Sequence, residues 1–373
     1  MLAKIEDDPR DPGSDCLCPP VYSYTVKRDD WEQWSLLMDE FRNANIFQTY
    51  AFSSLKSPRA QIESFIIRKG GEIVAAALVR ITSTLFGIRC AYVRWGPLWR
   101  RKEGLPDFEI WRNAIRLLRL EYATRRKMWL RLFPAAMKED LHPYASAFSE
   151  EGFVEIQTAV SRTMVLDLSA PLPQLRKGLE QKWRNCLNSA ERNNLQIVEG
   201  TGEELFDQFL VPFTQMVSRK GLEEPGDISS FKAIQKMLPD RHKLRVFLCH
   251  ADGQICAGAI ASAIGDRGVY HFGATADNGM RTKASYLLQW RIITWLKEMG
   301  CCEFDLHGVN RVKNPGVYNF KAGLCGKNGR EVEFLGTFDT YGSFAAFVCA
   351  KAADRTVRTF PRLKQLLTRF AAR

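Results

Sequence analysis

Residues 64–81 read SFIIRKGGEIVAAALVRI, and residues 245–264 read RVFLCHADGQICAGAIASAI. Each stretch is a pair of β-rich runs about a tight turn, Gly70-Gly71 in the first and Asp252-Gly253 in the second. These are the residue types that two-residue hairpin loops demand. After each turn the same sequence of characters follows, polar, then aliphatic, then small: GEIVAAALV beside GQICAGAIA. Self-similarity of this kind marks an internal repeat.

The parallel extends outward from the hairpins. The first is followed by an aromatic strand at 90–95, a helical stretch at 107–127 and a strand at 128–133. The second is followed by a strand at 268–275, a helix at 281–299 and a strand at 302–306. In that helix Tyr286, Leu287, Trp290, Ile293 and Leu296 form an apolar stripe, and Gly300 suits its C-terminal cap. Hairpin, strand, helix, strand is the order of an acetyltransferase-like (GNAT-like) domain. The expected fold class is therefore α/β (α+β): two tandem GNAT-like domains, each a mixed sheet with flanking helices. Residues 1–20 read as a disordered lead-in, 21–168 as the first domain, 169–340 as the second and 341–373 as C-terminal helices packing back on the first. Between the copies, 172–194 reads as one basic helix with Leu175, Leu179, Trp183 and Leu187 inward. Beyond Gly326 a strand is expected at 331–338, then an apolar helix from Tyr341. Phe360, Leu363, Leu367 and Phe370 give the tail an apolar face for docking.

Composition sets the bounds. A chain of 373 residues is long for one core, and 46% hydrophobic content is ordinary for a globular protein. Fifty-three Lys and Arg against 42 Asp and Glu leave a net charge of +11, which favours anionic partners. No basic, apolar leader opens the chain, and no apolar run reaches the ~18 residues of a membrane span. A cytoplasmic protein is expected, at most peripheral to the inner face of the plasma membrane. The ten cysteines read as free thiols, and no zinc-type spacing occurs, so no metal is expected.

Four segments, in order, resemble the Fem family of tRNA-dependent peptidoglycan aminoacyltransferases. They are IFQTYAFSSLK at 46–56, YVRWGPLW at 92–99, the L-R…K-W-R-N…A-x-R pattern over 175–192 that leads to EGT at 199–201, and a final group. That group comprises YLLQW at 286–290, FDLHG at 304–308 and NPGVYNFKAGLCG at 314–326. The absence of a heptad run makes this an armless form. Departures are Phe52 where the family has Trp, Leu324-Cys325 in place of Phe-Gly, and His307 where Gly is usual. Residues 221–231 also lack the Arg and Tyr pair of better-known armless members.

The resemblance implies two tandem domains that transfer an amino acid from aminoacyl-tRNA, the co-substrate, to an amine of a nucleotide- or lipid-linked peptidoglycan precursor or a related peptide. No other cofactor is implied. Such transfer needs an oxyanion stabilised at the ester carbonyl, and fixed charge or preorganised donors supply that. Lys321 matches the family's F-K lysine, which implies that role. Asp305, near the end of its strand, is a candidate base or binding carboxylate, and His307 at i+2 shares its strand face. Lys56 matches a lysine that contacts precursor phosphate, and Tyr270 matches a tyrosine-bearing strand beside the acceptor pocket, with Phe272 at the other position the match allows. Tyr318, in the same motif as Lys321, is a further candidate for substrate binding. Arg184, Arg192, Arg311, Lys313 and Lys327 are candidates for tRNA phosphates.

Two other readings compete. An acyl-CoA-dependent N-acyltransferase would cradle pyrophosphate on glycine-rich backbone at a helix start. Here that junction, NGMRTKAS at 278–285, has one Gly and no G-x-G. A noncatalytic basic module for RNA or membrane would have no use for the F-K segment.

Overall fold

Two alternating apolar patterns, each closed by a left-handed turn, organise two separate sheets. The structure is a computed structural model and describes residues 22–28, 30–55, 60–84, 87–140, 142–156, 162–221 and 228–359. The chain divides into two units, Met1–Ala159 with Leu335–Arg373, and Val160–Phe334.

The first unit contributes β1 (Tyr22–Lys27), β2 (Gln61–Lys69), β3 (Glu72–Ser83), β4 (Arg89–Arg94), β5 (Trp129–Phe133) and β6 (Val154–Ile156). Gly70 and Gly71 both take positive φ, 60° and 89°, the geometry a type I′ hairpin turn requires. Odd-numbered residues Ala75, Ala77 and Val79 of β3 and Ala91 and Val93 of β4 are fully buried, in one cluster with Trp111, Ala114, Ile115 and Leu118 of the helix Phe108–Leu118. The two alanines, Ala75 and Ala77, let that helix lie close to the sheet. The expected helix over 107–127 ends its α-helical part at Leu118 and continues as a π-helical turn, Arg119–Arg125.

The second unit contributes β7 (Arg162–Asp167), β8 (Leu195–Gly200), β9 (Arg245–Ala251), β10 (Gln254–Ile264), β11 (Arg267–Thr275), β12 (Glu303–Asp305) and β13 (Gly329–Glu333). Asp252 and Gly253 repeat the positive-φ turn at 50° and 75°. Ala257, Ala259 and Ala261 of β10 share a buried cluster with Leu288, Ile292 and Leu296 of the helix Ala284–Glu298. Then β14 (Thr337–Tyr341) returns to the first sheet.

The orders are β1-β2-β3-β4-β5-β14-β6 and, read in the same direction, β8-β9-β10-β11-β12-β7-β13. The two sheets match slot for slot, with β4–β5 and β11–β12 the parallel pairs. One slot is exchanged. The position beyond the fifth strand is filled in the first sheet by β14, from the end of the second copy, and in the second by β7, from the end of the first.

That exchange moves the expected boundaries. A split after 168 puts β7 with the first copy, whereas β7 pairs with β12 and β13. A split after 340 puts β14 with the second, whereas β14 pairs with β5 and β6. The single strand expected at 331–338 is two strands, broken at Gly336 (φ 114°), in different sheets. The last described helix is Phe344–Thr359, since Tyr341 still belongs to β14. Its Ala346 and Ala350 are buried with Cys90 and Trp129. The face of Phe360, Leu363, Leu367 and Phe370 lies outside the described residues. The basic helix expected at 172–194 is two helices, Leu172–Gly178 and Gln181–Arg192. The break between them frees the Glu180 amide to donate to Gly323 O at 3.0 Å. Lys283 (φ 61°) likewise divides the helix expected at 281–299 into Asp277–Thr282 and Ala284–Glu298.

Candidate active site in the second unit

The two parallel pairs differ in length. In the first unit β4 and β5 stay paired from Cys90/Trp129 to Arg94/Phe133, and Trp95 N then donates to Phe133 O at 2.6 Å. In the second unit the pairing of β11 with β12 stops at Val269/Asp305, while β11 runs on to Thr275. Beyond Asp305 β12 ends, and β11 runs on without its parallel partner.

Asp305 is the last paired residue and is fully buried. Its Oδ1 accepts from Thr163 Oγ1 at 2.5 Å and from the His307 backbone amide at 2.8 Å, and its Oδ2 is buried with no hydrogen-bond partner. The expected strand over 302–306 is shorter, Glu303–Asp305. His307 takes φ 61°, so it turns out of the strand and does not extend the Asp305 face as i+2 spacing implies.

Lys321 lies on the helix Pro315–Cys325, which Asn314 caps through a side-chain bond from Val317 N. That helix turns Lys321 inward, 7% exposed, and its ammonium donates to His307 O at 3.1 Å and Gly308 O at 3.0 Å. Burial pulls its pKa down from 10.5 to about 8, against the opposing pull of the Asp305 carboxylate. An ammonium has three donors, and two are used here. Tyr270 on β11 stands with its ring centroid 5.9 Å from the Lys321 ammonium. Its hydroxyl lies over Gly273, where a Cβ would come within 1.5 Å of it, and burial pushes its pKa up while Gln289 hydrogen-bonds to it.

Asp305, Lys321 and Tyr270 are therefore brought together. Tyr318 is on the same helix, but its hydroxyl donates to Glu331 at 2.8 Å and its ring carries the Arg311 guanidinium at 4.7 Å. Arg311 is itself paired with Glu331 at 2.8 Å. Arg192, Lys313 and Lys327 are exposed, and Arg184 donates to Lys177 O at 2.9 Å. Lys56 lies outside the described residues.

Sequence reasoning did not single out His271 or Thr163. His271 is the extra residue of a bulge in β11, between the pairs Ile260/Phe272 and Ala261/Tyr270. It is buried, bonded to Ser262 Oγ at 2.8 Å, and faces the His307 ring at 6.3 Å. Burial, then the neighbouring His307, pushes its pKa down to about 3, so it is a neutral imidazole. A bulge leaves no periodic trace that could have revealed it.

The quoted motifs meet in pairs. In the first unit Gln48 is buried, accepts from Leu78 N at 2.8 Å and donates to Arg94 O at 2.7 Å, and Asn45 donates to Trp95 O at 2.9 Å. In the second, Trp183, Tyr286 and Phe320 form an aromatic triad with centroids 4.9 to 5.9 Å apart.

Residues 174–322 match the family described as "Acetyltransferase (GNAT) domain". No curated protein sequence matches the chain. Among solved structures, FemX superposes with a TM-score of 0.73 at 14% identity, over 85% of this chain and 97% of that one. The C-terminal domain of a putative lysylphosphatidylglycerol synthetase from Agrobacterium fabrum gives 0.52 at 13%, over 88% and 96%. L-PGS from Bacillus licheniformis gives 0.51 at 12%, over 93% and 98%. Two mixed seven-stranded sheets with flanking helices are the tandem GNAT-like fold, and these likenesses are likenesses of fold. No helix among the described residues is long and apolar enough to cross a membrane.

Proposed function

We propose that this chain is an aminoacyltransferase that moves an amino acid from aminoacyl-tRNA to an amine of a peptidoglycan precursor or related peptide. The observation that carries the reading is the cluster at the end of the β11–β12 pairing, where the Lys321 ammonium is held by the turn after Asp305 and lies beside Tyr270. Among the described residues the parallel pair of the first unit is five residues long and that of the second only three, and the reading places the chemistry where the shorter pair ends. Bond formation starts with attack of the acceptor amine on the ester carbonyl and puts negative charge on the carbonyl oxygen. The third donor of Lys321 meets that charge, while His307 O and Gly308 O fix the ammonium in place. Asp305 Oδ2, unpartnered, orients the attacking amine or takes its proton. The amine–carbonyl bond forms, the ester C–O bond breaks, and the terminal ribose hydroxyl leaves with a proton.

The Fem-like motifs and the FemX-like fold favour aminoacyl-tRNA as donor. The match to the acetyltransferase (GNAT) family favours a second reading, an acyl-CoA-dependent N-acyltransferase. Purified chain, a charged tRNA pool labelled in its amino acids and an extract of cell-wall precursors form the test. Label should pass into a peptide-linked amide only when all three are present. Retention on coenzyme A resin, together with acyl transfer from acyl-CoA and no tRNA-dependent label, would replace the first reading by the second.

A further inference from the structure

The helix Phe344–Thr359 rests on the first sheet by its small residues. Ala346 and Ala350 are fully buried, in a cluster with Cys90 of β4 and Trp129 of β5. Phe344, Phe347, Val348 and Lys351 follow the spacing i, i+3, i+4, i+7 and so share the opposite face. That face is uncovered: Phe344 is 80% exposed, Val348 47% and Phe347 38%. Phe347 meets the Tyr341 ring at 5.2 Å and the Phe344 ring at 6.3 Å, and the Lys351 ammonium stands 5.6 Å from its centroid. The other exposed large apolar side chains among the described residues stand singly along the sequence, so this cluster is set apart. The charge of the chain gathers at the same end. From Lys351 to Arg373 the sequence has seven Lys and Arg against one Asp, a net +6, which leaves +5 of the total +11 for all the rest.

We infer that this face is a docking surface for an anionic phospholipid bilayer, with Phe344, Phe347 and Val348 entering the interfacial layer and the basic end of the chain meeting the headgroups. An apolar face of three side chains holds a bilayer only together with a second signal, and clustered Lys and Arg supply one by their attraction to anionic lipid. Lys351, exposed beside Phe347, keeps its ammonium among the headgroups while the ring goes below, as long basic side chains do at an interface. A second copy of the chain fits this face poorly, because pairing it with itself brings two segments of +6 together. Nucleic acid matches the charge but offers Val348 and the two phenylalanines no acyl layer to enter. The surface stands without the transferase reading above. That a chain held on a bilayer meets a lipid-linked acceptor there rests on that reading.

Co-sedimentation of the full chain with vesicles tests the surface, using phosphatidylcholine alone and an equal mixture of phosphatidylcholine and phosphatidylglycerol. The mixed vesicles should bind the chain, the neutral ones should not, and binding should fall steeply as salt is raised. Phe344→Ser combined with Val348→Ser should weaken binding at least about tenfold and leave the melting temperature unchanged, since both side chains are already in water. Phe344→Trp should bind as wild type does, and Phe344→Glu, a single change at the most exposed of the three, covers the case of a double variant that does not fold. Ending the chain after Thr359 removes four of the seven basic residues and should weaken binding, and what remains should still depend on Phe344. No binding to the mixed vesicles, equal binding to the neutral ones, or wild-type affinity in the double Ser and the Glu variants would overturn the proposal. Tighter vesicle binding after the truncation would do the same, because the end of the chain would then be the cover of this face. A dimer that Phe344→Ser dissociates, or tRNA binding lost in the double Ser variant, would assign the face to those partners instead. Lys321→Met protein should bind the mixed vesicles normally, so failure of the transfer chemistry and failure of this surface are separable.

Discussion

Lys321 keeps a charge where burial opposes it. Lys321→Met retains the apolar stem and removes the ammonium. We expect kcat and kcat/KM for transfer to fall together, by roughly a hundredfold or more if one oxyanion donor of ~3 kcal/mol is lost. A Met variant with near-normal turnover would remove the residue-level support for the mechanism. The folded-state pKa of about 8 sits below the ordinary 10.5, which sets two pH trends. Transfer that needs the ammonium should decline as pH rises through about 8. Between about 8 and 10.5 the unfolded chain holds a proton that the folded chain has released, so this residue's contribution to stability should rise with pH there. Urea midpoints of wild type and Lys321→Met, compared across that window, would show the rise in the wild type alone. Of this site the F-K motif was legible in sequence, and so was the identity of Asp305. The inward aim of Lys321 was not, because it depends on how the helix Pro315–Cys325 lies against the turn at His307 and Gly308.

The strand β14 is short, and one ion pair anchors it. Asp339 is fully buried and meets Arg131 of β5 through two bonds of 2.8 Å. Asp339→Ala leaves a guanidinium without its counterion and should cost about 3 kcal/mol in denaturant unfolding. Arg162 and Glu333, paired at 3.2 Å with Arg162 mostly in water, provide the contrast. Glu333→Ala should cost no more than about 1 kcal/mol. Equal losses would mean that burial is not what gives the Arg131 pair its weight. Elements whose logic is local were the readable ones, above all the two hairpins, where turn residues and alternation agree. Elements divided by distant partners were not. Apolar Phe334 and Leu335 run on from β13 without a break in pattern, and only the pairing of β14 with β5 separates them.

At the scale of the molecule the repeat and the units do not coincide. Cutting after residue 168, where the repeat suggests, strips β14 from the first sheet and β7 from the second. Neither 1–168 nor 169–373 should give a cooperatively unfolding product alone, while residues 160–334 contain every strand of the second sheet and should fold by themselves. Circular dichroism and thermal melts of the three fragments decide it, and a stable, cooperative 1–168 would count against the exchange as a structural requirement. The same wiring carries a consequence for synthesis. A chain leaving the ribosome emerges from its N-terminus, and domains usually form in that order. Here the second sheet is complete once Glu333 is out, but the first still waits for residues 337–341. The half made first must be the half finished last, kept open through the translation of its own duplicate.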